Sequence, residues 1–355
     1  MVRLLFKLRR HGIVVIPASI SQNVLYTMSR KPARPALKPG LHPRNPHRER
    51  YDFEQLIHAE PALKAYVKAN PHGGQTVDFS NAEAVKTLNK ALLACFYQVH
   101  QWDLPPGYLC PPVPGRADYI HHLADLLADA NGGSVPEGKT VRGLDVGTGA
   151  NLIYPIIGSQ AYGWQFVGAD IDPISIASAK LIVESNPVLK PLVTLRKQKN
   201  ANNIFTGMVK PSEQFDFSLC NPPFHSSEDK AAAGTERKHR NLSDNRRGRG
   251  QKVEVKADRL NFGGQNAELW CPGGEAAFVQ RMIEQSALIP TQLCWFTSLI
   301  SSKRNLPGLY KALKKAGAAT TETIDMAQGQ KQSRILAWSF LTREQRKAWA
   351  KTRWQ

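Results

Sequence analysis

The chain has few of the residues that build a metal centre or a disulfide framework. It contains five cysteines in 355 residues, at positions 95, 110, 220, 271 and 294, and no two of them form a C-x-x-C pair. Zinc sites and disulfide frameworks need cysteines or histidines at characteristic close spacings. The sequence therefore predicts no metal site and no disulfides, and scattered free cysteines are typical of a reducing compartment such as the cytoplasm.

Long apolar runs are also lacking. No apolar stretch approaches the roughly 20 residues that are needed to cross a bilayer. The short apolar segment at residues 13–16 ends at a proline, so it does not predict a signal peptide. We expect a cytoplasmic protein without a membrane partner, long enough to bury one large core.

The chain also has few acidic residues, with 29 Asp and Glu against 47 Lys and Arg, which gives a net charge of +18. The excess of positive charge is concentrated in two segments. Residues 1–50 hold 11 cationic residues against one acid, and residues 230–259 hold 10 against four, which leaves only +2 for the rest. A nearly neutral body with two basic segments is typical of a protein that grips a polyanion by its phosphates. The alternative is a pair of solvated segments that keep the protein soluble.

The most informative motif is Asn221-Pro222-Pro223-Phe224, which follows an apolar run at residues 215–220. An amino nitrogen conjugated to a ring, or an amide nitrogen, is a poor nucleophile because its lone pair is delocalised. The side-chain oxygen of Asn221 and the carbonyl of Pro222 would each accept one of its N–H groups, while Phe224 stacks on the base. The motif therefore predicts methylation of a planar nitrogen, with a plain turn as the alternative.

A second motif lies about 75 residues upstream, where an apolar strand runs into Asp145-Val146-Gly147-Thr148-Gly149. We expect this glycine-rich turn to open a helix near Leu152. A further predicted strand ends at Asp170, 23 residues after Gly147, which is about the spacing at which a carboxylate meets ribose hydroxyls in a βαβ nucleotide site. The ordered set of three signals predicts a nucleotide-type cofactor at the carboxyl ends of parallel strands.

These motifs resemble those of the class I S-adenosylmethionine-dependent methyltransferases, although Asn151 stands where a third glycine is frequent. Additional motifs narrow the resemblance to the bacterial 23S rRNA adenine-N6 methyltransferases, which are related to eukaryotic enzymes that methylate U6 small nuclear RNA. Those motifs are His42-Pro43-Arg44-Asn45, Gly115-Arg116-Ala117-Asp118-Tyr119-Ile120-His121, Asn261-Phe262-Gly263-Gly264, Gly273-Gly274-Glu275 and the run at residues 326–334. The resemblance extends from about Pro39 to about Arg346.

The resemblance implies a fold and an activity. The fold is an α/β, Rossmann-like class I methyltransferase with a seven-stranded, mostly parallel sheet, an antiparallel last hairpin and an N-terminal helical extension. The activity is methyl transfer from S-adenosylmethionine, without a metal, to N6 of one adenine of 23S rRNA, adenine 1618 in the family's reference numbering. Its partner would be 23S rRNA or a large-subunit assembly particle, with no obligate protein partner. Two alternatives stay open, a protein glutamine N5-methyltransferase and a non-catalytic rRNA-binding assembly factor.

The resemblance also assigns site residues. The catalytic set is Asn221, Pro222, Pro223 and Phe224. In the cofactor set, Arg116, just ahead of a helix, would pair with the cofactor carboxylate, and Asn200 would contact its adenine. The full cofactor set is Arg116, Asp145, Gly147, Gly149, Asn151, Asp170, Asn200 and Asn221. The proposed RNA-binding residues are Arg44, Arg48, Arg50, Lys238, Arg240, Lys331 and Arg334.

The predicted organisation has four parts. A basic disordered tail spans residues 1–40, and an N-terminal RNA-binding, helical element with a linker spans 41–115, in which residues 82–97 form the clearest helix. The methyltransferase domain spans 116–342 and includes the basic loop at 230–259, and a basic C-terminal tail spans 343–355. Prolines between residues 105 and 114 are expected to break any helix before one at 117–130. Strands are predicted at 141–146, 166–169, 193–195, 215–219, 293–297 and 335–340, and further helices at 173–184 and 275–287.

Overall fold

A seven-stranded sheet is the centre of the protein. The computed structural model describes residues 40–70, 73–226, 269–328 and 331–354. A short antiparallel pair, β1 (Val67–Ala69) and β2 (Gln75–Val77), precedes the main sheet. The strands of the main sheet are β3 (Arg142–Val146), β4 (Gln165–Asp170), β5 (Val193–Lys197), β6 (Phe215–Cys220), β7 (Leu293–Ile300), β8 (Thr320–Gln328) and β9 (Lys331–Ser339).

The strand order is β5-β4-β3-β6-β7-β9-β8. The first five strands in this order are parallel, whereas β9 is antiparallel to both β7 and β8. This is the seven-stranded sheet with an antiparallel final hairpin that the family resemblance implies, and the class I methyltransferase fold is confirmed. From β3 the chain builds the sheet outward in one direction with β4 and β5, and then in the other direction with β6 and β7. Ligands of such sheets bind in the crevice at the carboxyl ends of the strands where the direction changes, here β3, β4 and β6.

Eight α-helices lie in the described part of the chain. They are α1 (Phe53–Ala59), α2 (Ala82–Tyr97), α3 (Val113–Ala130), α4 (Ile153–Tyr162), α5 (Pro173–Ser185), α6 (Gly274–Ser286), α7 (Leu306–Ala316) and α8 (Arg343–Arg353). Apolar side chains of α2 to α5 join one hydrophobic cluster, and those of α6 and α7 join another. Every residue of β6 and β7 is buried, including the polar residues Asp216, Ser218, Thr297 and Ser298.

The prediction for the start of α3 is wrong in an informative way. The prolines were expected to delay this helix until residue 117, but it begins at Val113 with Pro112 as its N-cap and Pro114 in its first turn. A proline in the first turn loses no intrahelical hydrogen bond, and its fixed φ already suits a helix. Arg116 therefore lies inside the first turn of α3, which fixes the direction from which its side chain leaves the backbone.

The N-terminal extension shares the core of the sheet domain. The backbone N–H groups of His100 and Gln101 donate to the side-chain oxygen of Asn186, at 3.0 and 3.1 Å. The indole N–H of Trp102 donates to the carbonyl oxygen of Asn151, at 2.8 Å. The segment that follows α2 is thus tied directly to the loop that opens α4, which brings the extension to the edge of the predicted cofactor site.

The end of the chain is a helix where a basic tail was expected. Helix α8 starts with a capping box formed by Thr342 and Gln345. Its far end closes on Asp216, a fully buried residue of β6, which accepts hydrogen bonds from the side chains of Trp349 (2.7 Å), Arg353 (2.9 Å) and Trp354 (2.9 Å). Because this carboxylate lies far from residue 343 in the sequence, local composition carried no signal of the anchor.

Two predicted segments cannot be compared. The predicted basic tail at 1–40, apart from residue 40, and the whole basic loop at 230–259 lie outside the described residues. Within the described residues, no helix combines the length and apolar composition that a membrane span requires.

Candidate functional site

A cavity of about 480 Å³ opens where β3, β4 and β6 end. Its walls include the predicted residues Arg116, Gly147, Gly149, Asn151, Asp170 and Asn221. Residues up to 105 positions apart in the sequence therefore converge on one crevice, at the place that the reversal of strand order predicts.

The glycine-rich turn forms the floor of the cavity. Gly147 and Gly149 have positive φ angles of 75° and 65°, a conformation that favours glycine. A Cβ atom at Gly147 would meet no atom within 4 Å, so the backbone here is open to close approach by a ligand. The backbone N–H groups of Gly147 and Thr148 both donate to the carbonyl oxygen of Ala169, at 2.9 Å, which holds the turn against the end of β4.

Asn151, the departure from the usual glycine pattern, has a structural explanation. Its side-chain oxygen accepts a hydrogen bond from the N–H of Ile153 at 3.1 Å, so it satisfies a free donor in the first turn of α4. Leu152 adopts a positive φ of 53° to start that helix. The side chain of Asn151 therefore stabilises the turn while it also lines the cavity.

Asp145 lies behind the turn and is fully buried. One carboxylate oxygen accepts from the hydroxyl of Thr148 at 2.7 Å, and the other has no hydrogen-bond partner. Burial, helped by the nearby carboxylate of Asp170, raises the pKa of Asp145 to about 7. Asp145 is not among the residues that line the cavity, whereas Val146 and Gly147 are, so the prediction that Asp145 binds the cofactor stays a prediction.

Asp170 ends β4 and faces the same cavity. Its carboxylate accepts from the N–H of Gly149 at 2.8 Å and from that of Asp172 at 2.9 Å. Burial raises its pKa above the ordinary value, and the backbone hydrogen bonds act in the opposite direction. The carboxylate is thus held rigidly at the end of the strand, as expected of a group that accepts ribose hydroxyls.

Arg116 is a cationic residue of the cavity wall, which it shares with Arg281. Its guanidinium donates to the phenol of Tyr154 at 2.8 Å and lies over that ring. None of the ion pairs among the described residues involves Arg116. A cation that lines a cavity without a carboxylate partner is well placed to bind an anionic group of a ligand.

The catalytic motif begins where β6 ends. Asn221 lines the cavity together with Cys220 and Pro223, and its side-chain oxygen is buried without a hydrogen-bond partner. Phe224 and Pro222 do not belong to the lining as described, and Phe224 is half-buried. The aromatic side chains on the cavity wall are instead Tyr154, Trp270 and Phe278. The sequence analysis missed these residues because none of them belongs to a cofactor motif.

The prediction for Asn200 does not match the cavity lining. Asn200 is exposed, and its side-chain oxygen accepts from the N–H of Asn202 at 2.9 Å, within the loop after β5. The cavity is lined by the next residues of that loop, Ala201, Asn202, Asn203 and Ile204. The loop after β5 was thus predicted correctly, but Asn202 and Asn203 line the cavity in place of Asn200.

The predicted linker also contributes to the cavity. Leu109 and Pro111 belong to its lining.

Two of the predicted RNA-binding arginines, Arg44 and Arg334, have hydrogen-bond or ion-pair partners within the protein. The guanidinium of Arg44 donates to the phenol of Tyr162 (2.9 Å), the carbonyl of His121 (2.9 Å) and the carboxylate of Asp125 (2.7 Å). Arg334 pairs with Asp325 at 3.0 Å. Both therefore hold the fold together in this structure.

The other predicted RNA-binding residues are less constrained or not described. Arg48 is half-buried and Arg50 is exposed. Lys331 lies in β9, but its side chain is not described, and Lys238 and Arg240 lie outside the described residues.

One cluster near Arg44 has the composition of a metal site. Ligand atoms of His42, His122 and Asp125 lie within 4.8 Å of one another. However, Nδ1 of His42 accepts the N–H of Arg44 at 3.1 Å, so its Nε2 carries the proton that is donated to Asp125 at 2.7 Å. A metal would have to displace that proton and compete with Arg44 for the carboxylate. The cluster is therefore a hydrogen-bond network that fastens the His42-Pro43-Arg44-Asn45 motif to α3.

Comparison with known proteins identifies the family. The sequence model of a family described as RNA methyltransferase matches residues 35–342. The chain belongs to this family. Similar proteins named ribosomal RNA large subunit methyltransferase F include one from Photobacterium profundum, 56% identical over 336 residues that cover 92% of this chain and 99% of the relative. Another, from Pseudomonas aeruginosa, is 52% identical over 316 residues that cover 88% of this chain and 92% of the relative.

Solved structures agree with this RNA methyltransferase family. The hMettl16 catalytic domain in complex with the MAT2A 3'UTR hairpin 1 superposes with a TM-score of 0.69 at 29% identity, covering 85% of this chain and 96% of that one. The N-terminal domain of human METTL16 in complex with SAH gives a TM-score of 0.64 at 27% identity, covering 85% and 99%. The family inferred from the sequence motifs is thus confirmed, together with its class I fold.

The RNA methyltransferase uses S-adenosylmethionine, and the cavity fits this cofactor. Its amino-acid part carries a carboxylate group, and the guanidinium of Arg116 on the cavity wall is a group of the kind that binds one. The open backbone at Gly147 allows close approach, and Asp170 lies at the end of β4, where a ribose is expected.

Proposed function

We propose that the protein transfers a methyl group from S-adenosylmethionine to N6 of a single adenine in 23S rRNA, the adenine implied by the family resemblance. The observation that carries this proposal is the side-chain oxygen of Asn221, which is buried, unpartnered and part of the wall shared with the glycine turn. Leaving such an acceptor unsatisfied costs roughly 1–3 kcal/mol. A substrate amino group would satisfy it.

The residues of the motif divide the work. The cofactor supplies an electrophilic methyl group. Asn221 accepts one N–H of the target amino group and the carbonyl of Pro222 accepts the other, which turns the nitrogen lone pair away from the ring and towards the methyl. The prolines hold both acceptors in place, since they fix φ and contribute no N–H of their own.

No general base is required. Methyl transfer to nitrogen produces an acidic ammonium group, which loses its proton to solvent or to a nearby carbonyl. Catalysis then rests on positioning, which is worth up to roughly 7–11 kcal/mol in favourable cases. Stacking on Phe224, which follows Pro223 of the cavity wall, would add about 1–3 kcal/mol.

RNA is favoured as the substrate by the relatives and by charge. The relatives are named as large-subunit ribosomal RNA methyltransferases, and the neighbouring hMettl16 domain was solved with an RNA hairpin. A target adenine must leave the stack of neighbouring bases to enter the cavity, which favours a loop or a single-stranded site in the RNA. A ribosomal RNA substrate also places the protein in the cytoplasm.

The alternative of glutamine methylation uses the same chemistry on an amide nitrogen. The family match and the basic segments support RNA instead. The two functions separate in one experiment, in which labelled methyl groups are transferred from S-adenosylmethionine to rRNA or ribosomal particles from cells that lack the gene. Nucleoside analysis should show N6-methyladenosine at one large-subunit position.

A matched pair of variants completes this test. Asn221→Ala should abolish the label in RNA, whereas Asn131→Ala, in a turn remote from the cavity, should leave it unchanged. If the label appeared in protein, the function would instead be glutamine methylation. If it appeared in RNA at an atom other than N6 of adenine, the proposed methylation of the amino group would be refuted.

A further inference from the structure

A basic surface of the described chain has no role in the site above. It consists of Lys303, Arg304, Lys311, Lys314 and Lys315, which we call the basic ridge. All five side chains are exposed. Residues 301–317 contain no acidic residue, and none of the ion pairs among the described residues involves the ridge.

The ridge concentrates charge on an otherwise acidic body. Outside residues 1–50 and 230–259 the chain carries +2, and the ridge alone carries +5, so the rest of that body carries −3. Residues 301–317 hold all five of these cations and no acid, a charge of +5 within 17 residues. The asymmetry is typical of a surface that attracts a polyanion.

The buried face of α7 leaves its lysines on the solvent-exposed side of the helix. Leu306, Leu309 and Leu313 are buried against the sheet, at the spacing of one helical face. Lys311 and Lys315, four residues apart, lie one above the other on the exposed side. From Arg304 to Lys315 the ridge extends about 16 Å at 1.5 Å per helical residue, which is long enough to face several successive phosphates of one strand.

The ridge begins at the edge of the sheet where the catalytic motif lies. Strands β6 and β7 are parallel neighbours, with Ser218 opposite Phe296, so both chains leave the sheet at the same edge. Asn221 follows the last residue of β6, and Lys303 follows the last residue of β7 by three positions. The ridge therefore begins just beyond the same edge of the sheet at which the cavity opens.

Side-chain contacts hold the two segments in this relation. Gly274, at the start of α6, approaches the backbone after Phe224 so closely that a Cβ would lie 3.2 Å from the N atom of Ser226. The next residue, Glu275, is buried and accepts from the N–H of Ser301 at 2.7 Å and the side chain of Asn305 at 2.7 Å. The Gly273-Gly274-Glu275 motif thus connects the catalytic turn to the base of the ridge.

We propose that the basic ridge is a docking surface for the phosphates of the RNA strand that flanks the target adenine. This inference rests on the proposed function for its substrate. It assigns the phosphate contacts to residues after β7, whereas Arg44 and Arg334 are engaged within the protein. Phosphate contacts of this kind position the strand and carry no sequence information themselves.

A charge-matched comparison tests the ridge. The test variant is Lys311→Gln/Lys315→Gln. The control variant is Lys347→Gln/Lys351→Gln, which removes two exposed lysines at the same spacing from α8. Helix α8 packs through Trp349 and Trp354 with the hydrophobic cluster of α2 to α5, whereas α7 belongs to the other cluster, so the control lies on the other side of the sheet. Glutamine keeps the helix propensity of lysine in both variants.

Binding of unmodified 23S rRNA transcript is measured over a range of salt concentrations. The ridge variant should bind about tenfold more weakly at physiological salt, and the slope of log K against log salt should fall by about 1–2, because two phosphate contacts are lost. The control should retain the wild-type slope. Equal losses in both variants, or no loss in the ridge variant, would overturn the proposal.

Turnover separates this inference from the proposed function. With saturating RNA, the ridge variant should keep the wild-type kcat, since no ridge residue lines the cavity, while its KM for RNA rises. If the wild-type protein methylates no RNA, the proposed function fails, yet the binding comparison still decides whether the ridge holds phosphates.

Discussion

Replacement of Asp145 by asparagine should stabilise the free protein at neutral and alkaline pH while it weakens cofactor binding. Asp145 is fully buried, and one of its oxygens has no partner. Burial raises its pKa from 3.8 to about 7. The folded state therefore binds a proton at this site more tightly than the unfolded state does, and the stability of the protein falls as pH rises between about 4 and 7.

The size of the effect follows from the same two values. A pKa difference of about three corresponds to a ceiling of roughly 4 kcal/mol above pH 7, at about 1.4 kcal/mol for each pKa unit. By pH 5 less than half of this loss has occurred, so the wild-type protein should lose roughly 2–3 kcal/mol through Asp145 between pH 5 and pH 8. The asparagine variant does not ionise and should lose none of it. Its amide N–H, if unpartnered, subtracts about 1–3 kcal/mol at every pH, so the pH dependence is the decisive quantity.

The assay is urea unfolding of both proteins at pH 5 and pH 8, with the free energies extrapolated to water. The difference between variant and wild type should grow by roughly 2–3 kcal/mol from the lower to the higher pH. Calorimetric titration with S-adenosylmethionine should show weaker binding to the variant, because the ammonium group loses a charged partner. Parallel pH profiles for the two proteins would refute the assignment of a raised pKa to Asp145.

Three further predictions concern single carboxylates and the catalytic amide. Asn221→Ala should abolish methyl transfer and change S-adenosylmethionine affinity by no more than a few-fold, as measured by calorimetry; normal turnover would contradict the mechanism. Asp170→Ala should weaken cofactor binding itself by about tenfold or more, because a hydrogen-bonded carboxylate is worth about 1.5–3 kcal/mol, and unchanged affinity would remove Asp170 from the site. Asp216→Ala should lower the free energy of unfolding by about 3–5 kcal/mol, since it leaves the half-buried guanidinium of Arg353 and the indole N–H groups of Trp349 and Trp354 without their acceptor. The control Asp325→Ala removes a carboxylate that is 84% exposed and should cost less than about 1 kcal/mol; similar costs for the two variants would show that the Asp216 anchor contributes little.

Local features were predictable because their signals lie within a few residues of one another. The helix at residues 82–97 has the predicted bounds, since its apolar spacing and its cap at Asn81 are adjacent in the chain. The positive φ angles of Gly147 and Gly149 belong to the glycine-rich turn itself, which is recognisable from adjacent residues. The order of the motifs around Asp170 and Asn221 indicated the class I fold, because the carboxyl ends of parallel strands share one edge of a sheet.

Only the tertiary structure decided which side chains meet across long separations. The sequence alone determined that a cofactor turn and an amino-methylating motif share one chain, because each depends on neighbouring residues. It did not determine that Phe278 completes the cavity, that Asp216 anchors the last helix, or that Arg44 is held by Asp125. An arginine in a basic segment has the same local sequence whether it faces solvent or a carboxylate 81 residues away. That partner is chosen when the helices pack on the sheet, so the pairing of each charge is a property of the fold and not of the motif.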